Sequence, residues 1–460
     1  MQEISSCLQQ KLLASTRHYP WFLVLPGSRC CRSCEAIEMS ASNTQHSFGL
    51  RLFGTHGSSP AYALRDFLYR SNVPFEWIEL TTDEQARELA QVNDLHDYRL
   101  PVCLFPDGVR LENPTIRQIA EKLGWFQRPS SAEYDLAILG GGPAGLSAAV
   151  YGASEGLKTL LIERYAVGGQ AGTSSRIENY LGFPEGISGS DLAKRARDQA
   201  NRFGAEILLL HEGVRAELVP GKSIGHLADG TSFVMHAAIC ASGVEYRRLN
   251  LWNEERLRGA GVFYGAGTSE AELCTSQDVY VVGGGNSAGQ AAIHFSRYAR
   301  RVYILIRGDG LKETLSQYLV DRISTSPKIE VRPHTEVVEL HGDNQLEAIT
   351  LVNNLTGRQE TVQTCWLFLC LGGVPNTNWA AEAGLVRDEQ SYLVTGPDLR
   401  QHRNFAGTWP LDREPYYLET SFPGMFAAGD VRHGSVKRCA SAVGEGAMAV
   451  TFVHRYLASH

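Results

Sequence analysis

Two glycine-rich segments carry the residue types and spacing best suited to chemistry. Asp135-Leu-Ala-Ile-Leu139 runs into Gly140-Gly-Gly-Pro-Ala-Gly145, and Asp278-Val-Tyr-Val-Val282 runs into Gly283-Gly-Gly-Asn-Ser-Ala288. A glycine loop between an apolar strand and a helix lets backbone amides approach a diphosphate, and the helix N-terminus favours the anion. In the first loop Gly140, Gly142 and Gly145 complete G-x-G-x-x-G, with Pro143 and Ala144 opening the helix. The next strand, Thr159-Leu-Leu-Ile162, ends in Glu163, at the ~20-residue distance where a carboxylate accepts from adenosine ribose hydroxyls. The second loop is G-x-G-x-x-A: Gly283, Gly285 and Ala288, with Gly284, Asn286 and Ser287 between them. Its following strand, Val302-Tyr-Ile-Leu-Ile306, ends in the cation Arg307, with Lys312 as a helper. A cation there suits the 2′-phosphate of NADPH better than the 2′-hydroxyl of NADH. Two such loops predict two dinucleotides in separate lobes, with electrons passing between them.

Bulk properties agree with that chemistry and exclude others. The 460 residues suffice for about three domains. A net charge of −7 argues against nucleic acid as a partner, and no apolar run approaches the ~18 residues of a membrane span. The ten cysteines are scattered. Cys103, Cys240 and Cys370 fall inside apolar, strand-like runs, which reads as reduced thiols of a cytoplasmic protein and not as a disulfide framework.

The elements that must position the loops follow from periodicity and turn signals. Residues 1–48 read as a leader outside any domain, with translation expected to begin at Met39. Its cluster Cys30-Cys31-Arg-Ser-Cys34 lacks the second ligand pair of a structural zinc site, so no metal is expected. Residues 49–126 form a first compact unit in the order βαβ…ββα, and 127–133 a linker. Residues 134–243 and 373–460 make one dinucleotide lobe and 244–372 a second, inserted lobe. The segment between Leu393 and Pro415, with His402, Phe405 and Trp409, reads as an insertion that covers a bound cofactor or decorates the surface.

Several of these segments together resemble a known family. Gly168-Gly169-Gln170, Ile177-Glu-Asn-Tyr180, Ile239-Cys-Ala-Ser-Gly243 and Pro423-Gly-Met-Phe-Ala-Ala-Gly-Asp430 resemble, in order, low-molecular-weight thioredoxin reductases. The resemblance spans about residues 133–456. It implies an α/β fold with two Rossmann-like domains, the NAD(P)H domain inserted into the FAD domain. It also implies a homodimer, with the apolar helix from Ala447 to Leu457 contributing. It adds Arg164, Gly169, Gln170, Asn179, Ser242, Gly243, Gly429, Asp430, Arg438, Cys439 and Ala440 to the FAD site, and Gly372 to the crossover out of the NAD(P)H lobe. The first unit in turn resembles the glutaredoxin and thioredoxin fold, with Leu100-Pro101 where that family keeps a cis-proline.

Both resemblances lack their thiols. The Cys-x-x-Cys of the thioredoxin unit is replaced by Ser59-Pro-Ala-Tyr62, and that of the nicotinamide lobe by Gly265-Ala-Gly-Thr268. The expectation is an FAD enzyme that takes hydride from NAD(P)H and delivers electrons to an external acceptor, a small molecule or a protein docked by the thioredoxin-like unit. Two alternatives stay open. One is a thioredoxin-disulfide reductase using Cys274 with Cys439, the latter expected to be acidic at the flavin edge. The other is a flavin sensor or binding module without turnover.

Overall fold

A computed structural model describes residues 49–265, 270–312, 314–402, 405 and 409–459. The leader, its cysteine cluster, Met39 and Thr268 lie outside the described residues.

The first unit comprises β1 (Arg51–Gly54), α1 (Ser59–Arg70), β2 (Glu76–Glu79), α2 (Asp83–Leu89), β3 (Val102–Leu104), β4 (Arg110–Glu112) and α3 (Ile116–Lys122). Ser58 caps α1 by accepting from the Ala61 amide, and Thr115 with Gln118 forms a reciprocal capping box on α3. The sheet order is β2-β1-β3-β4, with β1 and β2 parallel and the other pairs antiparallel. Strand alternation sends Leu52 toward α1 and α3, where Leu64, Phe67, Leu68 and Ile119 bury it. Phe53 goes to the other side, against Ala86 of α2. The Leu100–Pro101 bond is cis.

The first lobe begins with β5 (Glu133–Leu139), α4 (Pro143–Ser154), β6 (Thr159–Glu163), α5 (Gly189–Arg202), β7 (Glu206–Leu209), β8 (Gly213–Glu217), β9 (Ser223–Leu227) and β10 (Ser232–Cys240). The chain leaves it through β11 (Val244–Tyr246). The second lobe follows, with α6 (Glu254–Leu257), β12 (Val262–Tyr264), β13 (Asp278–Val282), α7 (Asn286–Phe295), β14 (Arg301–Leu305), α8 (Gln317–Thr325) and β15 (Ile329–Arg332). It closes with β16 (Thr335–His341), β17 (Ala348–Asn353), β18 (Gln359–Gln363) and β19 (Leu367–Leu369). The chain returns through β20 (Gly373–Pro375) and completes the first lobe with α9 (Asn378–Glu382), β21 (Met425–Ala427) and α10 (Cys439–Leu457).

The first-lobe sheet runs β7-β6-β5-β10-β9-β8, with β21 also paired to β10. Its centre is parallel, while β8 and β9 form an antiparallel extension. Leu136 and Ile138 of β5 face α4 and α10, and Tyr134 and Ala137 face the opposite core. The chain winds one way from β5 through α4 to β6, and β10 lies on the other side. The C-terminal end of β5 is therefore a topological switch point, where open α/β sheets bind ligands. The second lobe repeats this with the parallel order β12-β19-β13-β14-β15, its switch point at β13. A separate antiparallel sheet, β16-β17-β18, packs beside it. The antiparallel pair β11–β20 carries both chain crossings between the lobes.

Candidate dinucleotide sites

At the end of β5 the chain turns more sharply than a side chain allows. Gly140 has φ +109, and a Cβ there would lie 2.4 Å from the Ala241 carbonyl oxygen; a Cβ at Gly145 would lie 1.8 Å from the Gly140 oxygen. Helix α4 starts at Pro143 with Gly142 as its cap and no side chain bonded to its first turn. Pro143 has no N–H, so the amides of Ala144 and Gly145 are left aimed outward as donors for an anion.

The surrounding residues close round this loop. A Cβ on Gly169 would approach the Gly142 Cα to 3.1 Å, one on Gly429 the Ala144 Cβ to 3.0 Å, and one on Gly140 the Ser242 Cα to 3.0 Å. Four segments distant in sequence thus converge. Glu163 is buried at the end of β6, its Oε2 accepting from the Gly141 amide at 2.7 Å and its Oε1 from the Tyr165 amide at 2.8 Å. A carboxylate has about four lone-pair sites, so two stay available for hydroxyl donors. Gln170 donates from Nε2 to the Val244 oxygen at 2.8 Å, and Ser242 Oγ donates to the Asn376 oxygen at 3.0 Å, which ties both to the crossover. The Gly429 amide donates to Glu445, which also pairs with Arg432 at 2.6 Å. Burial raises the Asp430 carboxyl, although Lys437 opposes the shift. Arg164 pairs with Glu245, while Asn179, Arg438 and Ala440 are exposed.

The second loop repeats the geometry. A Cβ on Gly283 would lie 2.4 Å from the Cys370 oxygen, while one on Gly285 would meet open space. Helix α7 also lacks a side-chain cap, and Ala288 is fully buried against the lobe core. Asn286 is held by Ser316: its amide nitrogen donates to Ser316 Oγ at 2.9 Å, and its Oδ1 accepts from the Ser316 amide at 2.8 Å. Gly284 accepts from Thr314, and Ser287 is exposed. Arg307 and Lys312 are exposed beyond β14. Gly372 has φ +79 just before β20.

The positions where the two resemblances lead one to expect a thiol differ in environment. Gly265 lies against Tyr246: a Cβ there would come within 2.5 Å of the phenol oxygen, which is 3.3 Å from Thr173 Oγ1. Tyr246 and Thr173 carried no signal in the sequence, because a lone Tyr or Thr in a crossover matches no spacing rule. Ser59 is exposed, whereas Tyr62 packs edge-on against Phe263, ring centroids 5.1 Å apart.

The six described cysteines are all free. Cys274 is fully buried, donates to the Glu270 carbonyl at 3.3 Å, and is shifted upward by burial and then by Glu270. Burial, followed by Asp430, pushes the Cys439 thiol up to about 11, the opposite direction from the acidic thiol expected at that helix start. The helix start that should lower its pKa is outweighed by desolvation. No group of three or more metal-binding side chains occurs among the described residues.

The uncapped helix starts, the converging glycines and the spare capacity of Glu163 fit a dinucleotide at each switch point. This is the architecture of a two-dinucleotide oxidoreductase. Residues 134–446 match the pyridine nucleotide-disulphide oxidoreductase family, and the chain belongs to that family. A thioredoxin reductase of Listeria innocua is 33% identical over 326 residues, covering 70% of this chain and 94% of that protein. One of Bacillus subtilis is 32% identical over 326 residues, covering 70% and 95%. Among solved structures, Lactococcus lactis thioredoxin reductase in the FR conformation superimposes with a TM-score of 0.63 at 28% identity, covering 71% of this chain and all of that one. Thioredoxin reductase of T. acidophilum gives 0.63 at 28%, covering 72% and 99%. The protein is an oxidoreductase of thioredoxin reductase fold, and this family uses FAD and NADPH as cofactors. No described helix is long and apolar enough to cross a membrane.

Proposed function

We propose that the chain takes hydride from NADPH onto FAD and delivers the electrons to an acceptor outside its own thiols. In this reading the lobe of 134–243 and 373–460 holds FAD and that of 244–372 holds NADPH, with 49–126 a thioredoxin-like unit. The observation that carries it is the thiol inventory. The inserted lobe contains only Cys274, Cys365 and Cys370, no two of them three residues apart. Cys274 and Cys370 are buried, and burial shifts all three upward.

The residues present divide the work. The amides of Ala144 and Gly145 bind the flavin diphosphate, and Glu163 accepts from the adenosine ribose. Asp430 accepts from a ribityl hydroxyl. The backbone of Gly169 and the side chain of Gln170 line the ring pocket, and the start of α10 at Cys439 sets positive potential beside it. Gly283, Gly285 and the first turn of α7 hold the second diphosphate, and Arg307, helped by Lys312, pairs with the 2′-phosphate. Bound FAD supplies two-electron acceptor chemistry for a nicotinamide hydride.

Anaerobic titration of the FAD-loaded protein with NADPH tests the reading. Complete bleaching of the flavin absorbance is expected at about one NADPH per FAD, since each hydride fills one flavin. Uptake of a second equivalent would reveal an internal disulfide and overturn it. Fully bleached protein should then be reoxidised by a quinone or an external disulfide in the absence of thioredoxin.

A further inference from the structure

The lobes are joined covalently only through the crossings at β11 and β20, and each crossing adjoins a glycine of positive φ, Gly243 at +62 and Gly372 at +79. A Cβ at either position would meet nothing within 4 Å. Such a junction is a ready hinge, and relative motion of the lobes is the default unless another contact opposes it.

The first unit supplies that contact. Helix α1 buries Ala61, Leu64, Phe67 and Leu68 in its own unit. Its other face carries Tyr62, Arg65, Asp66, Tyr69 and Arg70, spaced i, i+3, i+4, i+7, i+8, a single helical stripe. The stripe spans both lobes. At its start, the Tyr62 ring is so close to Gly259 that a Cβ there would lie 2.6 Å from it, and it meets Phe263 edge-on. Arg65 pairs with Glu270 at 3.4 Å, with side chains 9% and 2% exposed, and its guanidinium lies over Trp77 of its own unit. These partners in the inserted lobe are joined by an edge contact between His56 and Trp366. At the other end, Asp66 accepts from the Tyr165 hydroxyl at 3.2 Å, and Arg70 donates to the Gly169 oxygen at 3.0 Å while lying over the Tyr165 ring. Asn72, just beyond the helix, donates to Asp191 at 2.8 Å. These partners belong to the first lobe.

We propose that α1 is a tie across the hinge, holding the inserted lobe in one orientation against the first. The position that would carry a second redox thiol, Tyr62, is the wedge at one end of the tie, so this face serves an internal contact and not an external protein. The inference concerns lobe geometry and holds whatever accepts the electrons.

Hydrogen exchange on the full-length, FAD-loaded protein tests it, with Tyr62→Ala/Arg65→Ala cutting the tie from the helix side and Glu270→Gln from the lobe side. The amides of Val244–Tyr246 and of Gly373 and Val374 are expected to exchange at least ~10-fold faster in both variants, with those of β5 and β13 unchanged. The radius of gyration from solution scattering should rise in parallel. The charge swap Arg65→Glu/Glu270→Arg should bring hinge exchange back toward wild type. Should the helix-side variant lose protection throughout β1 and α1, Glu270→Gln decides alone. Hinge exchange within about twofold of wild type in the deciding variants overturns the tie.

Discussion

At the scale of single residues, Glu163 and Cys439 show how environment assigns a role. Glu163 lies at the end of a fully buried strand, where an unpaired carboxylate would be costly, and two backbone amides stabilise it. Glu163→Gln replaces one acceptor oxygen with a donor facing those amides and removes the charge. A charge-assisted hydrogen bond is worth ~1.5–3 kcal/mol, so FAD retention should weaken by roughly 10- to 100-fold. Equilibrium dialysis followed by flavin fluorescence checks this. Cys439 illustrates the opposite case. With its thiol pushed up to about 11, it stays protonated at neutral pH. A thiol reacts with alkylating reagents as the thiolate, so the rate at Cys439 should rise about tenfold per pH unit between pH 8 and 10 and level off above 11. Mass spectrometry of the Cys439 peptide after timed iodoacetamide treatment measures it. A plateau reached near pH 8 would restore the acidic thiol.

At the scale of elements, each lobe depends on a parallel sheet whose central strand is covered on two faces. In the inserted lobe, one face is an aromatic stack: Phe263, Trp366 and Phe368 lie nearly parallel, and Phe295 of α7 closes against Phe368 with ring centroids 4.1 Å apart. Since α7 also presents the second glycine loop, this packing sets the direction of its N-terminus. Phe368→Ala removes the ring at the centre of the stack and should destabilise the protein by ~3–5 kcal/mol, the usual range for a buried Phe. Urea unfolding followed by tryptophan fluorescence should show it as a lower midpoint with an unchanged slope. In the segment after Leu393, Phe405 is buried in a small cluster with Val394 and Leu399, and Trp409 donates to the Arg413 oxygen.

At the scale of the whole molecule, the distribution of thiols and the placing of the first unit belong together. The family match spans residues 134–446, so the first unit lies outside it. In this chain the first unit packs on both lobes, with Tyr165, Ala166 and Leu210 of one lobe joining its core and Tyr62 joining the core of the other. Under the proposed thioredoxin-like reading of this unit, a reactive thiol would stand at that helix, where Ser59 and Tyr62 are found. The electron count per flavin is accordingly a property of the complete chain, which is why the titration uses it intact.

Much of this was legible in the residues alone. The two strand–loop–helix segments and the place of Glu163 at a strand end depend on local spacing, which the backbone obeys wherever a tight turn meets a helix start. The β8–β9 and β16–β18 pairings were missed, because strands such as Gln359–Gln363 are exposed and lack an apolar alternation. The turning of Asn286 toward Ser316 was hidden for another reason: its competing partner is thirty positions away. The sequence by itself determined where the two tight turns before a helix start fall, since their backbone conformation is one that only glycine permits. Only the tertiary structure decided the surroundings of Cys439, the meeting of Tyr246 with Gly265, and the span of α1 across both lobes. Desolvation and packing depend on which distant segments share a volume, and neighbours along the chain do not specify that.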